Sequence, residues 1–297
     1  MPASDTRAPE HNLFGIIKLM DNLISIITPT YNRGYIIRNP IDSILKQTYL
    51  SWELLIVDDG STDNTEKIVG SYKDKRIKYI KQKKKDQAAA RNKGLKMAQG
   101  KWITYLDSDN EFLPNYLGVM IKTFKKHKRI LYILPKANRT LELFAGKKLI
   151  KIIDDSVDFP SSLTIKDIFL RKLHFDLNGF IHSVKIRDEG IRFDESISVM
   201  EDWEFIMQIG EKHPENFLYL PVILYNYHQR YGGDGIVSNT SYKQWADIFE
   251  HIYQKHKNDK LMVGQSWYPD RVNKWNKIEK NFKKGLIPPP HLFRFQK

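Results

Sequence analysis

Three short apolar runs in the N-terminal half of the chain each end directly in a polar segment, and this pattern restricts the fold more than any other. The runs cover residues 24–27, 54–57 and 102–106. Stretches with helical character lie between them, at residues 35–47, 63–69 and 86–97. Strands that alternate with helices predict βαβ units and an α/β fold with a largely parallel sheet.

The polar segment after the third run contains Asp107-Ser108-Asp109. In open α/β sheets, ligands bind outside the carboxyl ends of the strands. Two carboxylates at positions i and i+2 can converge there on a hard divalent cation such as Mg²⁺ or Mn²⁺, which accepts oxygen ligands and leaves positions for phosphate oxygens. An acidic pair that only caps a helix or lines a turn is the alternative interpretation.

Five sequence motifs, in this order over about residues 23 to 230, together resemble those of a family 2 glycosyltransferase with the GT-A fold. They are Thr28-Pro29-Thr30-Tyr31-Asn32, Val57-Asp58-Asp59-Gly60-Ser61-Thr62-Asp63, Ala90-Arg91-Asn92-Lys93-Gly94, Leu106-Asp107-Ser108-Asp109-Asn110, and Phe193-Asp194-Glu195 with Glu201-Asp202-Trp203-Glu204-Phe205. The resemblance implies a Rossmann-like, mostly parallel central sheet flanked by helices, with a C-terminal helical or extended appendage. Asn110 departs from the pattern, since many relatives carry another Asp there.

The resemblance also implies a binding site for the donor nucleotide. Asp59 would accept the imide N–H of a uracil base, although the same acidic segment can shape a turn, with Asp63 capping the next helix. Pro29 and Tyr31, with Thr28, lie where relatives line the base pocket; a buried structural Tyr31 is the alternative. Arg91 would pair with Asp107 or reach the diphosphate, and an ordinary surface arginine is the other interpretation.

For the metal and the chemistry, the resemblance implies that Asp109 binds Mn²⁺ or Mg²⁺ directly. Asp107 would contact the ribose hydroxyls, the metal or a metal-bound water. Asp202 would act as the catalytic base, and Glu201 would position it or bind the acceptor. Glu201 and Asp202 also suit an acidic start of a helix. His228 would join the metal or the diphosphate, with a purely structural histidine as the alternative.

These expectations combine into a metal-dependent, inverting glycosyltransferase. It would move a sugar from a nucleoside diphosphate donor, with a UDP-sugar expected, to a hydroxyl of a glycan or lipid-linked acceptor in cell-surface polysaccharide or lipopolysaccharide synthesis. Two rival interpretations are a sugar nucleotidyltransferase and a non-catalytic basic scaffold that binds anionic polymer or membrane. The nucleotidyltransferase would require a glycine-rich basic loop after the first strand, where this chain has Thr-Pro-Thr-Tyr-Asn-Arg.

The formal net charge of +13 favours anionic partners. Lysine clusters at residues 81–85, 122–129 and 280–284 are each explained by a solvated surface, or by attraction to an anionic membrane or to a phosphorylated substrate. No zinc-finger spacing or base-stacking motif accompanies the charge, so no nucleic-acid partner is expected. The chain has no cysteine, which excludes disulfides and thiolate metal sites.

The chain divides into three predicted parts. Residues 1–22 form a flexible lead-in, whose apolar residues 13–20 are too few for a signal peptide. Residues 23–230 form the main domain, with a nucleotide-binding half (23–110) and an acceptor half (111–230). Residues 231–297 hold a glycine-rich loop, a helix and a basic tail. We expect a cytoplasmic protein, peripheral at the inner face of the membrane if it contacts lipid.

Weaker patterns follow in the second half of the sequence. We predict helices at residues 114–126, 165–173, 202–209 and 241–253. We predict strands at residues 130–134 and 179–184, and one arm of a hairpin at 147–153. Residues 217–227 predict a short strand, a break at Pro221 and a second strand, because proline cannot donate to a strand ladder.

Overall fold

A nine-stranded mixed sheet lies at the centre of the computed structural model, which describes residues 22–145, 148–154, 161–169, 176–231 and 240–261. The predictions for the lead-in over residues 1–21, for the glycine-rich loop after Tyr231 and for the basic tail lie outside the described residues. The strands are β1 (Ile24–Thr30), β2 (Trp52–Asp58), β3 (Ile77–Lys81), β4 (Trp102–Tyr105), β5 (Glu111–Phe112), β6 (Tyr132–Ala145), β7 (Lys148–Asp154), β8 (Ile181–Ser183) and β9 (Phe217–Tyr231).

Eight α-helices accompany the sheet in the described residues. They are α1 (Arg38–Leu45), α2 (Thr65–Val69), α3 (Gln87–Met97), α4 (Tyr116–Lys126), α5 (Ile165–Phe169), α6 (Val184–Asp188), α7 (Glu201–Lys212) and α8 (Tyr242–His256), with a 3₁₀ turn at Pro214–Asn216. Helix α8 begins with a capping box between Ser241 and Gln244, which satisfies backbone donors that a helix start leaves unpaired. The helices predicted at residues 35–47, 86–97, 114–126 and 241–253 are confirmed within a few residues at each end.

The strand order is β3-β2-β1-β4-β8-β6-β9-β5, and β7 pairs with β6 alone among the described strands. Strands β1 to β4 are mutually parallel, and β6 and β9 form a second parallel pair. Strand β8 runs antiparallel between β4 and β6 and joins the two parallel sections. Most of the paired length is therefore parallel, which confirms the predicted α/β class with a mostly parallel sheet.

Both faces of the sheet are covered by helices, and this explains why the central strands β1 and β2 are buried along their whole length and largely apolar. All residues of β1 and of β2 are buried. Successive side chains of a strand point to opposite faces, so Ile26 packs with the cluster under α1 and α4, while Ile27 packs with the cluster under α3 and α7. Helix α3 crosses β1 closely at Gly94, where a Cβ atom would lie 2.5 Å from Ile27 Cγ2.

The predicted break at Pro221 is wrong, because β9 continues as one strand from Phe217 to Tyr231. The ladder between β6 and β9 absorbs the proline by a shift in register: Leu220 pairs with Pro135, and the next paired residue is Ile223. A bulge leaves residues outside the ladder, so the missing N–H of Pro221 breaks no ladder hydrogen bond. The hairpin arm predicted at residues 147–153 is confirmed as β7, which is antiparallel to β6.

Within the described ranges, no helix combines the length and the apolar character that crossing a bilayer requires.

Candidate active site

The loops that follow β1 and β2 form one unit at the carboxyl edge of the sheet. Asn32, which adopts a left-handed conformation (φ 52°), accepts a hydrogen bond from the Thr62 N–H at 2.8 Å. The Asn32 backbone N–H donates to Ser61 Oγ, also at 2.8 Å. Asp63 accepts from the Gly34 N–H at 3.0 Å and from the Thr65 N–H at the start of α2. These bonds fix the first two loops relative to each other.

Asp59 lies in this unit and is 5% exposed. Its Oδ1 accepts two hydrogen bonds from the segment after β3, one from Gln82 Nε2 at 2.8 Å and one from the Lys85 backbone N–H at 2.9 Å. Its Oδ2 has no hydrogen-bond donor among the residues that the structure describes. The Asp59 carboxylate is therefore oriented by two donors and keeps one acceptor atom for a ligand.

Tyr31 lies at the edge of the same loop and is 37% exposed, with the Lys84 ammonium 3.9 Å from the centre of its ring. Thr28 and Pro29, expected in a loop, are instead buried residues of β1, because parallel pairing with Ile56 and Val57 extends the strand to Thr30. The loop position expected for them is wrong. Any contact between the Thr28 side chain and a nucleotide would require this buried residue to become accessible.

Arg91 connects two motifs that are far apart in the sequence. It is 2% exposed, and its Nη2 lies 2.7 Å from Asp107 Oδ1, while its Nη1 donates to Glu201 Oε1. Burial disfavours the charged form of Arg91, but the negative charges of Asp107 and Glu201 have the larger effect. The pKa of Arg91 is therefore raised. The structure thus shows the pairing alternative for Arg91, since both terminal nitrogens are engaged by carboxylates.

Glu201 and Asp202 open helix α7 but differ in their surroundings. Glu201 is 2% exposed and accepts hydrogen bonds from Arg91 and from Gln87 Nε2. Burial raises the pKa of Glu201 to about 7, and Asp202 adds to the effect while Arg91 opposes it. Asp202 is partly exposed. Of the two acidic side chains, Asp202 is the one that an incoming molecule can reach.

Asp107 is held on several sides and stays partly open. Asn178 Oδ1 accepts from the Asp107 N–H at 2.7 Å, and Asn178 Nδ2 donates to Asp107 Oδ2 at 3.0 Å. With Arg91 on Oδ1, both carboxylate oxygens have donors, yet the Asp107 side chain is 30% exposed. Each carboxylate oxygen has a further lone pair, so Asp107 can still contact a ligand.

Asp109 is the least satisfied carboxylate of the site. It makes no hydrogen bond to any residue that the structure describes, although it is only partly exposed. Burial raises the pKa of Asp109. The positive charge of Arg33 lowers this pKa, and the negative charge of Asp107 raises it. The described residues contain no group of three or more histidine or acidic side chains that would enclose a metal by themselves. Asp109 with Asp107 fits an open Mg²⁺ or Mn²⁺ site completed by substrate oxygens and water.

His228 lies on β9 next to the Asp109 loop. Its backbone N–H donates to the Oδ1 of Asn110, which is 1% exposed, at 2.8 Å. Its Nδ1 lies 2.9 Å from Glu142 Oε1 and 3.0 Å from Thr140 Oγ1, and the hydrogen bond with Glu142 raises the pKa of His228. Asn110, the residue that departs from the family pattern, therefore connects the Asp109 loop to β9. The ligand role of His228 stays a prediction.

Two residues of the site, Asn178 and Asp176, were not found from the sequence. Asp176 accepts hydrogen bonds from the Asn178 N–H at 2.8 Å and from the Tyr225 hydroxyl at 3.2 Å. Burial raises the pKa of Asp176 to about 7, and the negative charges of Asp107 and Asp202 raise it further. No motif or periodic pattern in the sequence marks either residue.

Comparisons with known proteins agree with this geometry. The model of glycosyl transferase family 2 matches residues 25–180. The chain is 45% identical over 108 residues to an Escherichia coli protein named UDP-Glc:alpha-D-GlcNAc-diphosphoundecaprenol beta-1,3-glucosyltransferase WfgD; the match covers 36% of this chain and 43% of the relative. The chain thus spans less than half of that relative's length.

A second relative is similar over a longer stretch. The putative colanic acid biosynthesis glycosyl transferase WcaA of Escherichia coli strain K12 is 30% identical over 244 residues, which cover 80% of this chain and 82% of the relative. Among solved structures, Staphylococcus aureus TarS 1–349 in complex with UDP superposes with a TM-score of 0.62 at 20% identity, over 88% of this chain and 72% of that one. This likeness confirms the GT-A fold, and the chain belongs to glycosyl transferase family 2.

Proposed function

We propose that the protein transfers a sugar from a UDP-sugar to a hydroxyl group of a glycan or lipid-linked acceptor, with inversion at the anomeric carbon and with Mg²⁺ or Mn²⁺ as cofactor. The observation that carries the proposal is the ion-pair chain from Asp107 through Arg91 to Glu201. These linked ion pairs fix the Asp107–Asp109 segment beside the start of α7. Groups suited to binding a donor diphosphate therefore lie in one site with a group suited to accepting the proton of the acceptor.

The relatives support the donor and the acceptor classes. The name of the relative WfgD gives UDP-glucose as donor and a sugar on diphosphoundecaprenol as acceptor. TarS has been solved with UDP and with UDP-GlcNAc. WcaA is named for colanic acid biosynthesis. We therefore infer a role in cell-surface polysaccharide synthesis, in the cytoplasm, with a peripheral contact to an anionic membrane where a lipid-linked acceptor is presented.

In this mechanism the uracil imide N–H donates to the free Oδ2 of Asp59, and Tyr31 lies against the base. Asp107 and Asp109 would hold the metal, which would offset the negative charge on the leaving diphosphate. Asp202 accepts the proton of the acceptor hydroxyl. The hydroxyl oxygen forms the new bond to the anomeric carbon as the bond from that carbon to the diphosphate breaks.

Two buried residues, Arg91 and Glu201, hold the groups that take part in these steps in position. Arg91 neutralises the two carboxylates that it joins, which allows the buried Glu201 to lie close to the partly exposed Asp107. Glu201 is too buried to meet an acceptor in this conformation, so we assign it the positioning of Arg91 and of the first turn of α7 that carries Asp202. A group mounted on the first turn of a packed helix is held in place more rigidly than one on a loop.

A donor-hydrolysis assay tests the proposal. Purified protein is incubated with UDP-, GDP- and dTDP-sugars, with Mn²⁺ or with a chelator, and the released nucleoside diphosphate is measured. We expect metal-dependent release of UDP from a UDP-sugar. This release should be lost in Asp109→Asn and should persist in the matched surface variant Asp188→Asn. Release of pyrophosphate would indicate a nucleotidyltransferase instead. Absence of UDP binding in a thermal-shift assay would favour the interpretation of the protein as a non-catalytic scaffold.

A further inference from the structure

The hairpin formed by β6 and β7 exposes a group of large apolar side chains on its outer strand. Leu149, Ile150 and Ile152 are 42%, 64% and 57% exposed. Single exposed apolar residues are normal on a protein surface, but three within four positions of one strand form a patch. Contact between such a patch and water is unfavourable, and exposed apolar patches commonly mark interaction surfaces.

The same strand is cationic. Lys148 and Lys151 are exposed and interleave with the apolar residues, and no acidic residue occurs before Asp154 at the end of β7. Lys148 and Lys151 pair with Ala145 and Leu143, whereas Leu149 and Ile152 pair with Phe144 and Glu142, so the lysines lie on the opposite face of β7 from these two apolar residues and the strand is amphipathic. A surface of this composition is complementary to the apolar interior and the anionic headgroups of a lipid bilayer.

Pairing with another strand does not explain the patch. In the ladder with β6, Leu149 pairs with Phe144 and Lys151 pairs with Leu143, so Ile150 is an extra, bulged residue. Bulges and lysines on an edge strand are the devices by which proteins prevent a further strand from adding to the sheet. Both features oppose an edge-to-edge contact with a second copy of the chain.

The patch adjoins the candidate active site. Ile152 pairs directly with Glu142 on β6, and directly paired residues share a face of the sheet. On that face Glu142 contacts His228 at 2.9 Å and Arg230 at 3.3 Å. A membrane bound at the hairpin would thus lie next to the face that carries His228, within the site described above.

We propose that the β6–β7 hairpin is the surface through which this protein contacts an anionic membrane. Leu149, Ile150 and Ile152 insert among the lipids, and Lys148 and Lys151 contact the headgroups. This assignment rests on the proposed function for one point, that a lipid-linked acceptor is delivered at the membrane. The lipid contact itself rests on the exposure, charge and bulge of β7.

Vesicle flotation tests the proposal. The full chain is mixed with vesicles of phosphatidylcholine, alone or with phosphatidylglycerol, and the bound fraction is measured. We expect binding to the anionic vesicles only. The apolar variant Leu149→Ser/Ile150→Ser/Ile152→Ser and the charge variant Lys148→Glu/Lys151→Glu should each reduce the bound fraction at least tenfold. The control Val222→Ser/Ile223→Ser, which changes exposed apolar residues of β9, should bind like the unchanged protein.

Two further readouts keep the result interpretable. A thermal shift with UDP and Mn²⁺ shows whether each variant is folded and has an intact donor site; the proposal expects the same shift in all of them. Sedimentation velocity reports the oligomeric state. Failure of the unchanged protein to bind anionic vesicles, or undiminished binding by both β7 variants, overturns the proposal. A change in oligomeric state with unaltered vesicle binding also overturns it and identifies a contact between copies. Failure of the proposed function would appear separately, as absence of UDP binding by the unchanged protein.

Discussion

Asn178 holds Asp107 through two hydrogen bonds, because its Oδ1 accepts from the Asp107 N–H at 2.7 Å and its Nδ2 donates to the Asp107 carboxylate at 3.0 Å. We predict that Asn178→Ala lowers kcat/KM for the UDP-sugar about 30-fold, since loss of hydrogen bonds to a charged, partly buried group costs about 2 kcal/mol. Steady-state assays measure this. The control Asn138→Ala changes an exposed asparagine and should keep activity; equal activity of both variants would refute the role of Asn178.

Asp59 offers a test of base recognition. Its Oδ1 receives two N–H donors, so in Asp59→Asn the amide oxygen should stay there and the NH₂ group should take the free position. An N–H donor at that position can hydrogen-bond to N3 of cytosine, which is an acceptor. It cannot pair with the N3–H of uracil, which is itself a donor. We predict that the ratio of UDP to CDP affinity falls at least tenfold, which is about 1.4 kcal/mol. Titration calorimetry with both nucleotides measures the ratio, and an unchanged ratio would assign Asp59 to the turn alone.

Arg91 is expected to matter for stability as well as activity. Removal of one partner from a buried ion pair leaves uncompensated charge and typically costs about 3–5 kcal/mol. Arg91→Met should therefore lower the free energy of unfolding by about this amount in urea titrations. The double variant Arg91→Met/Glu201→Gln should recover part of the loss, because one stranded carboxylate becomes neutral. Arg129→Met, at an exposed position, is the matched control and should have little effect.

His256 makes the stability depend on pH. It is 2% exposed, and although burial opposes protonation, hydrogen bonds with Glu204 and Glu211 raise the pKa of His256 to about 9. The unfolded chain has the ordinary value of about 6.5. Because the folded pKa is the higher one, this contribution, up to about 3 kcal/mol, is fully present below pH 6.5 and is lost as the pH rises through 9.

The variant His256→Gln isolates this contribution. We expect it to unfold at lower urea concentration than the unchanged protein at pH 6, and the gap to narrow at pH 9.5. The control variant is His251→Gln. His251 is exposed, and its Nε2 lies 3.4 Å from Asp194 Oδ2. A gap of constant size across this pH range would show that His256 stabilises α8 by packing only.

Strands β1, β2 and β4 could be predicted from the sequence because of where they lie in the sheet. Strands β1, β2 and β4 are covered by helices on both faces, so most of their residues are apolar and short apolar runs are visible in the sequence. The carboxyl ends of parallel strands share one edge, so the position of Asp59 at the same sheet edge as the Asp107 segment followed as well. The extension of β1 through Thr28 and Pro29 was missed, since polar and proline residues at a strand end resemble a loop.

Asn178 could not be predicted for a different reason. Its contact with Asp107 joins residues 71 positions apart, and it arises because β8 returns antiparallel beside β4. The strand predicted at residues 179–184 is confirmed as β8 (Ile181–Ser183), but a local pattern does not show which strand it pairs with. The same holds for Pro221, whose effect depends on a register shift against β6. Such features depend on pairing between distant segments, which local patterns do not encode.

The parallel pairing of β6 with β9 has a consequence for how the molecule acquires its site. Thr140 and His228, which meet in this pair, are 88 residues apart in the sequence. Closing so long a loop loses chain entropy before any contact compensates for it, so such pairings form late and slowly during folding. During synthesis, the segment that ends at Asp109 emerges from the ribosome long before β9 does. The nascent chain therefore carries an unfinished candidate site until β9 has been synthesised.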